Sequence, residues 1–168
     1  MLPLASDVKC IKMKCTQFKK LYEKYWNLGP VNNQYSSEHA NWNKHKYECN
    51  PCFDWSRTQY CIYRGIDPDN HCCLDMAYAI SHPIETIHQG TNRILDWEAI
   101  TDEYLIPIPY DGYKATIISY CPFCGKILPE SKRDLWYKTL HELGYDDPGK
   151  QNIPPDFRSD KWWRNRNT

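Results

Sequence analysis

The sequence predicts an α+β protein: antiparallel β-hairpins followed by a C-terminal helix, preceded by a mainly helical or irregular region that carries its own cysteines. Three observations predict this. Two strand-like runs flank an Asp-Gly turn, a capped amphipathic pattern follows them, and the nine cysteines include two Cys-x-x-Cys pairs suited to metal binding.

Thr16 to Leu28 places Phe18, Leu21, Tyr22, Tyr25 and Trp26 at helical spacing, with Thr16 as N-cap and Gly29-Pro30 as the stop. Residues 31 to 46 lack periodicity and read as a loop with a short helix around Glu38 to His45. Gly65 to Asn70 is a cluster of turn residues, which sets a boundary between residues 1–65 and 66–168. Cys73 to Ile80 reads as a strand with Leu74, Met76, Tyr78 and Ile80 on one face, although Ala77 and Ala79 weaken the alternation. Glu103 to Pro109 and Tyr113 to Tyr120 form a hairpin about Tyr110-Asp111-Gly112, in which Pro107 and Pro109 mark an edge. Ser131 to Gly144 is a helix with Ser131 and Asp134 as a capping pair. Its expected apolar stripe is Leu135, Trp136, Leu140 and Leu143. Phe157, Trp162 and Trp163 pin an irregular tail onto the body.

A chain of 168 residues can bury one ordinary core, or one core plus a small metal-stapled lobe. Its 41% apolar and 25% charged residues are those of a folded protein rather than a disordered one. The 13 Tyr and 7 Trp favour ring packing in a small core. The N-terminus lacks a secretory core and no run of eighteen apolar residues occurs, so a soluble, cytoplasmic protein that spans no membrane is expected. Charge is uneven: residues 1–65 carry ten Lys/Arg against five Asp/Glu, and residues 66–168 carry eleven against sixteen. The halves can attract each other, or the basic half can meet an acidic partner.

Tetrahedral zinc takes four soft or borderline ligands, usually as two pairs from distant parts of the chain. Cys121-Pro-Phe-Cys124-Gly125 leaves a strand and has glycine where a left-handed conformation costs little. Its complement is His71-Cys72-Cys73. The favoured set is Cys72, Cys73, Cys121 and Cys124, with His71 as an alternative ligand because adjacent strand residues face opposite ways. A dithiol redox site would place the first cysteine at a helix N-terminus, whereas here the helix starts only after Glu130. A second zinc site can draw on Cys10, Cys15, Cys49 and Cys52, with His45 and Cys61 as alternatives. One Zn2+ is therefore expected and a second is a candidate.

From His71 onward the sequence resembles a small uncharacterised bacterial family, some of whose members occur among immunity or phage-associated genes. The residues that carry the resemblance are His71-Cys72-Cys73, Tyr120 to Gly125, Leu128 to Trp136, Leu143 to Pro148, Ile153 to Phe157 and Ser159 to Trp163. It implies a compact zinc-ribbon-like domain and no established activity.

No metalloprotease, phosphate-loop or dinucleotide motif is present, and a cysteine-rich zinc site is normally closed, so no enzyme activity is expected. His82, Glu85, His88 and Asp96 read as exposed polar residues rather than an acid/base group. The preferred function is a zinc-stabilised module that binds another protein, such as an immunity protein or a phage-encoded inhibitor. Asp146, Asp147, Asp156 and Asp160 are candidates to engage a basic target. The alternative is nucleic-acid binding through residues 9–26, where Lys9, Lys12, Lys14, Lys19, Lys20 and Lys24 alternate with Phe18, Tyr22, Tyr25 and Trp26.

Overall fold

The computed structural model describes residues 13–26, 36–81, 94–108 and 114–164. The chain divides into two compact units, Met1–Tyr60 and Cys61–Thr168. Among the described residues, no helix is long and apolar enough to cross a membrane.

In the first unit, α1 (Cys15–Trp26) begins one residue before the expected Thr16 cap, with the Phe18 amide donating to Lys14 O. Phe18, Tyr22 and Tyr25 are buried, while Leu21 and Trp26 are half-buried against the same cluster. The expected stop at Gly29-Pro30 lies outside the described residues. α2 (Ser37–Glu48) is longer than the short helix read from sequence. Ser36 Oγ accepts from the His39 amide, and His39 and Trp42, three residues apart, form the buried face. α3 (Asn50–Tyr63), whose residues from Cys61 onward belong to the second unit, has no counterpart in the sequence reading; its buried face includes the small side chains Cys52 and Ser56, which carry little apolar signal. The core is a stack of rings: Phe18 lies parallel to Trp42 at 5.1 Å, and Tyr22 meets Trp55 edge-on at 5.0 Å.

In the second unit, a 3-10 turn (Pro68–Asn70) leads to α4 (Leu74–Ser81). The expected strand from Cys73 to Ile80 is thus corrected to a helix. Met76, Ala77, Ile80 and Ser81 are its buried residues, a helical spacing, and Ala77 and Ala79 favour helix over strand. β1 (Asp96–Glu98), β2 (Glu103–Pro107) and β3 (Ala115–Ile117) form an antiparallel sheet in that order. β2 pairs with β3 in the register Leu105↔Ile117, so the two arms of the expected hairpin do pair. The Asp111-Gly112 turn and Pro109 lie outside the described residues. β2 is the central strand, but β1 reaches only Leu105, so Pro107 has no β1 partner for its missing amide.

α5 (Arg133–Glu142) starts two residues after Ser131, and no side chain caps it at Lys132. Ser131 Oγ accepts from the Arg133 amide and donates to Glu103, so the capping pair is replaced by a long-range contact. Leu140 is fully buried and Trp136 half-buried, whereas Leu135 and Leu143 are exposed; Thr139 takes the remaining inward position. Gly144, at φ 85°, ends the helix, and the Tyr145 amide closes onto Leu140 O. The tail contains a 3-10 turn (Pro155–Arg158) and α6 (Lys161–Arg164). Trp136, Trp162 and Trp163 donate their indole N–H to Phe157 O, Ile100 O and Ala99 O at 3.0, 2.7 and 3.1 Å. These bonds fasten the tail to α5 and to the β1–β2 turn.

Candidate metal centre

The segment from Ser119 to Leu128 folds back on itself. Tyr120 bridges Ile127, the Leu128 amide donates to Ser119 O, and the Cys121 amide donates to Lys126 O, both at 2.9 Å. Gly125 donates to Cys121 O and takes φ 70°, a conformation that a side chain disfavours. The turn aims the Cys124 amide at Cys121 Sγ, 3.4 Å away.

Opposite this turn, His71, Cys72 and Cys73 form a bend between the 3-10 turn and α4. The bend removes the strand alternation that would have separated the two cysteines. Cys73 Sγ lies 3.8 Å from Cys121 Sγ, and Cys72 Sγ lies 3.8 Å from Cys124 Sγ. All four sulfurs fall within 4.8 Å of one another. Thiolates at about 2.3 Å from one tetrahedral ion would stand about 3.8 Å apart, whereas a disulfide holds its sulfurs at about 2.05 Å. A shared ion would fit this spacing.

His71 stands apart from this group. Its Nδ1 is 2.8 Å from the Tyr104 hydroxyl and its ring packs edge-on to Trp97. Burial, helped by the Arg164 charge, lowers the His71 value, and burial, helped by Asp102, raises that of Tyr104. Two neutral groups therefore share the bond, and Tyr104, which has no local sequence signature, accounts for the position of His71.

Burial pushes the Cys72 and Cys73 thiols up. Burial also opposes ionisation of Cys121, but the Cys124 and Phe123 amides, with the Cys72 and Cys124 thiols, outweigh it and bring Cys121 down to about 7. Lys126 Nζ donates to Cys72 O at 3.4 Å, which ties the turn to the 71–73 bend. Cys121 is not at a helix N-terminus, since α5 starts at Arg133.

The other sequence candidates are distributed unevenly. Cys15, Cys49, Cys52 and His45 place their donor atoms within 4.8 Å of one another. Cys10 lies outside the described residues, as do His82, Glu85 and His88. Cys61 does not join the group. It follows Cys52 by nine residues of α3, about 14 Å along a helix axis, and its Sγ is 3.6 Å from Ser81 Oγ. Asp96 Oδ1 accepts from the Trp97 amide. Among the described residues, two Cys/His groups could thus hold a metal ion.

No curated protein and no solved structure matches the chain. One family matches residues 70–165, a span that contains Cys72, Cys73, Cys121 and Cys124 but stops short of the other group. That span is more than half of the chain, and the protein belongs to this family, described as a domain of unknown function, DUF6980.

Proposed function

We propose that residues 70–165 form a zinc-stapled, ribbon-like domain whose work is to present a fixed surface to a partner protein. The observation that carries this reading is the group of four cysteine sulfurs within 4.8 Å of one another. Four soft donors select zinc over magnesium or calcium, and four protein ligands leave no open position for a reacting water.

The turn that the zinc would hold displays apolar side chains. Tyr120 and Ile127, bridge partners, are 62% and 76% exposed, and Phe123 between them is also exposed, as is Ile117 on β3. Exposed apolar side chains fixed on one rigid turn suit a protein interface. A small immunity protein or phage-encoded inhibitor would act through a surface of this kind.

The tail acids supply less. Asp147 and Asp160 pair with Lys150 and Arg164, which offset their charge locally, and Asp146 Oδ1 lies 3.2 Å from His141 Nε2. Nucleic-acid binding through residues 9–26 is also less favoured, because Phe18, Tyr22 and Tyr25 are buried and Lys24 pairs with Glu38.

The test is a zinc assay combined with partner capture. Cys121→Ser should remove one zinc per chain. Ile127→Asp should retain it while abolishing binding to a captured protein that rebinds the wild-type chain in purified form. A Cys121→Ser chain with unchanged zinc content, or a water-derived signal at the bound metal, would overturn the structural role. A partner that binds the Ile127→Asp chain equally well would overturn the proposed surface.

A further inference from the structure

We infer that Cys15, His45, Cys49 and Cys52 form a second zinc site, of three thiolates and one imidazole, and that this ion holds the first unit together. The site lies outside the family-matched span and does not depend on the function proposed above.

Each ligand is delivered by a different part of the helical framework. Cys15 is the first residue of α1, His45 lies in the last turn of α2, Cys49 is the residue between α2 and α3, and Cys52 is in the first turn of α3. His45 and Cys49 are four residues apart, so the end of α2 carries both to one side. The Cys52 amide donates to Cys49 O at 2.9 Å, which closes the Cys49-Asn-Pro-Cys52 turn.

The distances suit a metal rather than a sulfur bond. Cys15 Sγ is 3.7 Å from Cys49 Sγ, and His45 Nε2 is 3.3 Å from Cys52 Sγ. Tetrahedral zinc would set these edges at about 3.8 Å and about 3.6 Å. Packing alone gives no reason for an imidazole nitrogen to join three sulfurs, or for the exposed Cys15 to converge on the buried Cys52.

The rest of the unit explains the need. Among the described residues its core cluster is Met13, Phe18, Tyr22, Tyr25, Trp42 and Cys52, and a metal ion is a common staple beside a core of this kind. The ion would link α1 to the α2–α3 junction directly beside that core, where the His45 ring lies 5.4 Å from Phe18. Metal binding and folding of the unit are then one event, and Trp42 and Trp55 report it optically.

The full chain, purified in zinc under reducing conditions, should contain two zinc ions, and X-ray absorption should average about 3.5 sulfur and 0.5 nitrogen neighbours per zinc. Cys15→Ser and Cys49→Ser should each leave one ion, and Cys10→Ser should leave two. His45→Cys should keep two and, in the cobalt-loaded protein, enlarge the thiolate-to-cobalt band by about one seventh, from seven thiolates to eight. One zinc in the wild-type chain, an all-sulfur average with two, a Cys49–Cys52 disulfide in the zinc-loaded protein, or loss of an ion from Cys10→Ser but not from His45→Ala would overturn the assignment. The ratio of two and the average of about 3.5 sulfurs take the Cys121 centre as filled by four sulfurs, which Cys121→Ser reads separately. The metal ratio and absorption average of the wild-type chain remain decisive if a variant does not fold.

Discussion

Replacing Glu103 by Gln should destabilise the second unit by about 3 kcal/mol. The Glu103 side chain is fully buried. Arg133 donates to it from both Nε and Nη2, Thr101 Oγ1 donates at 2.8 Å, and Ser131 Oγ completes the set. Four donors thus meet one carboxylate. An amide in its place presents an NH2 group to two of them, since each oxygen accepts from two donors, and leaves the guanidinium without its counter-charge. Removing one partner from a buried ion pair typically costs about 3–5 kcal/mol. The Arg133 side chain is 47% exposed and regains some water, which places the expectation at the lower end. The assay is urea unfolding at pH 7 in zinc-containing buffer, with metal content checked before and after. With slopes of about 1–3 kcal/mol per molar urea, the midpoint should fall by about 1–3 M. The dependence on pH has a definite sign. Burial pushes the Glu103 carboxyl up, but Arg133, Ser131 and Thr101 outweigh it and hold it at about 2. This lies below the value of about 4.3 in an unfolded chain, so the stabilisation is complete above that value and is lost as pH falls toward about 2. The difference between wild type and variant should therefore stay constant from pH 8 to 5. A midpoint shift corresponding to less than about 0.5 kcal/mol, the usual range for a surface substitution, would refute the reasoning.

Three further outcomes are expected. Gly125→Ala meets no atom within 4 Å, so its cost is that of a side chain at φ 70° alone, about 1–2 kcal/mol; chelator competition should show zinc affinity reduced by roughly 5–30-fold, and unchanged affinity would show that the turn relaxes freely. Trp162→Phe removes the N–H bonded to Ile100 O while retaining a ring against Phe157; thermal or urea unfolding should register a loss of about 1 kcal/mol. Stripping metal at pH 7 under reducing conditions should abolish hydrogen-exchange protection at the Cys121 and Leu128 amides, which close the metal turn; retained protection would mean that the turn stands without an ion.

Elements written in short-range chemistry were legible in the sequence. The arms of the β2–β3 hairpin and the glycine stop of α5 follow from turn and cap residues adjacent in the chain. The Cys121 and Cys124 pair follows from its own spacing. The segment Cys73 to Ile80 was misread because eight mostly apolar residues satisfy either period, and only burial of Ala77 beside Met76 decides for helix. α3 was missed because Cys52 and Ser56 are inward residues without being large apolar ones. His71 meets Tyr104, which is 33 residues away, and stands outside the four-cysteine group. Ser131 carried a valid cap signal, but Glu103, 28 residues earlier, claims its hydroxyl. In each case the deciding partner is distant in sequence, and no local pattern encodes it.

The β1–β2 turn has a mechanical consequence. Trp163 and Trp162 bind the carbonyls of Ala99 and Ile100, Lys132 and Trp97 bind the Asp102 carboxylate, and the Lys132 amide donates to Thr101 O. Five successive residues, Ala99 to Glu103, thus anchor the tail, the start of α5 and the central strand at a single knot. Under load, or during breathing motions, these elements should not peel away one at a time. A protease would find the C-terminal segment either fully guarded or fully released, and a pull on the C-terminus should yield in one step rather than by gradual unravelling.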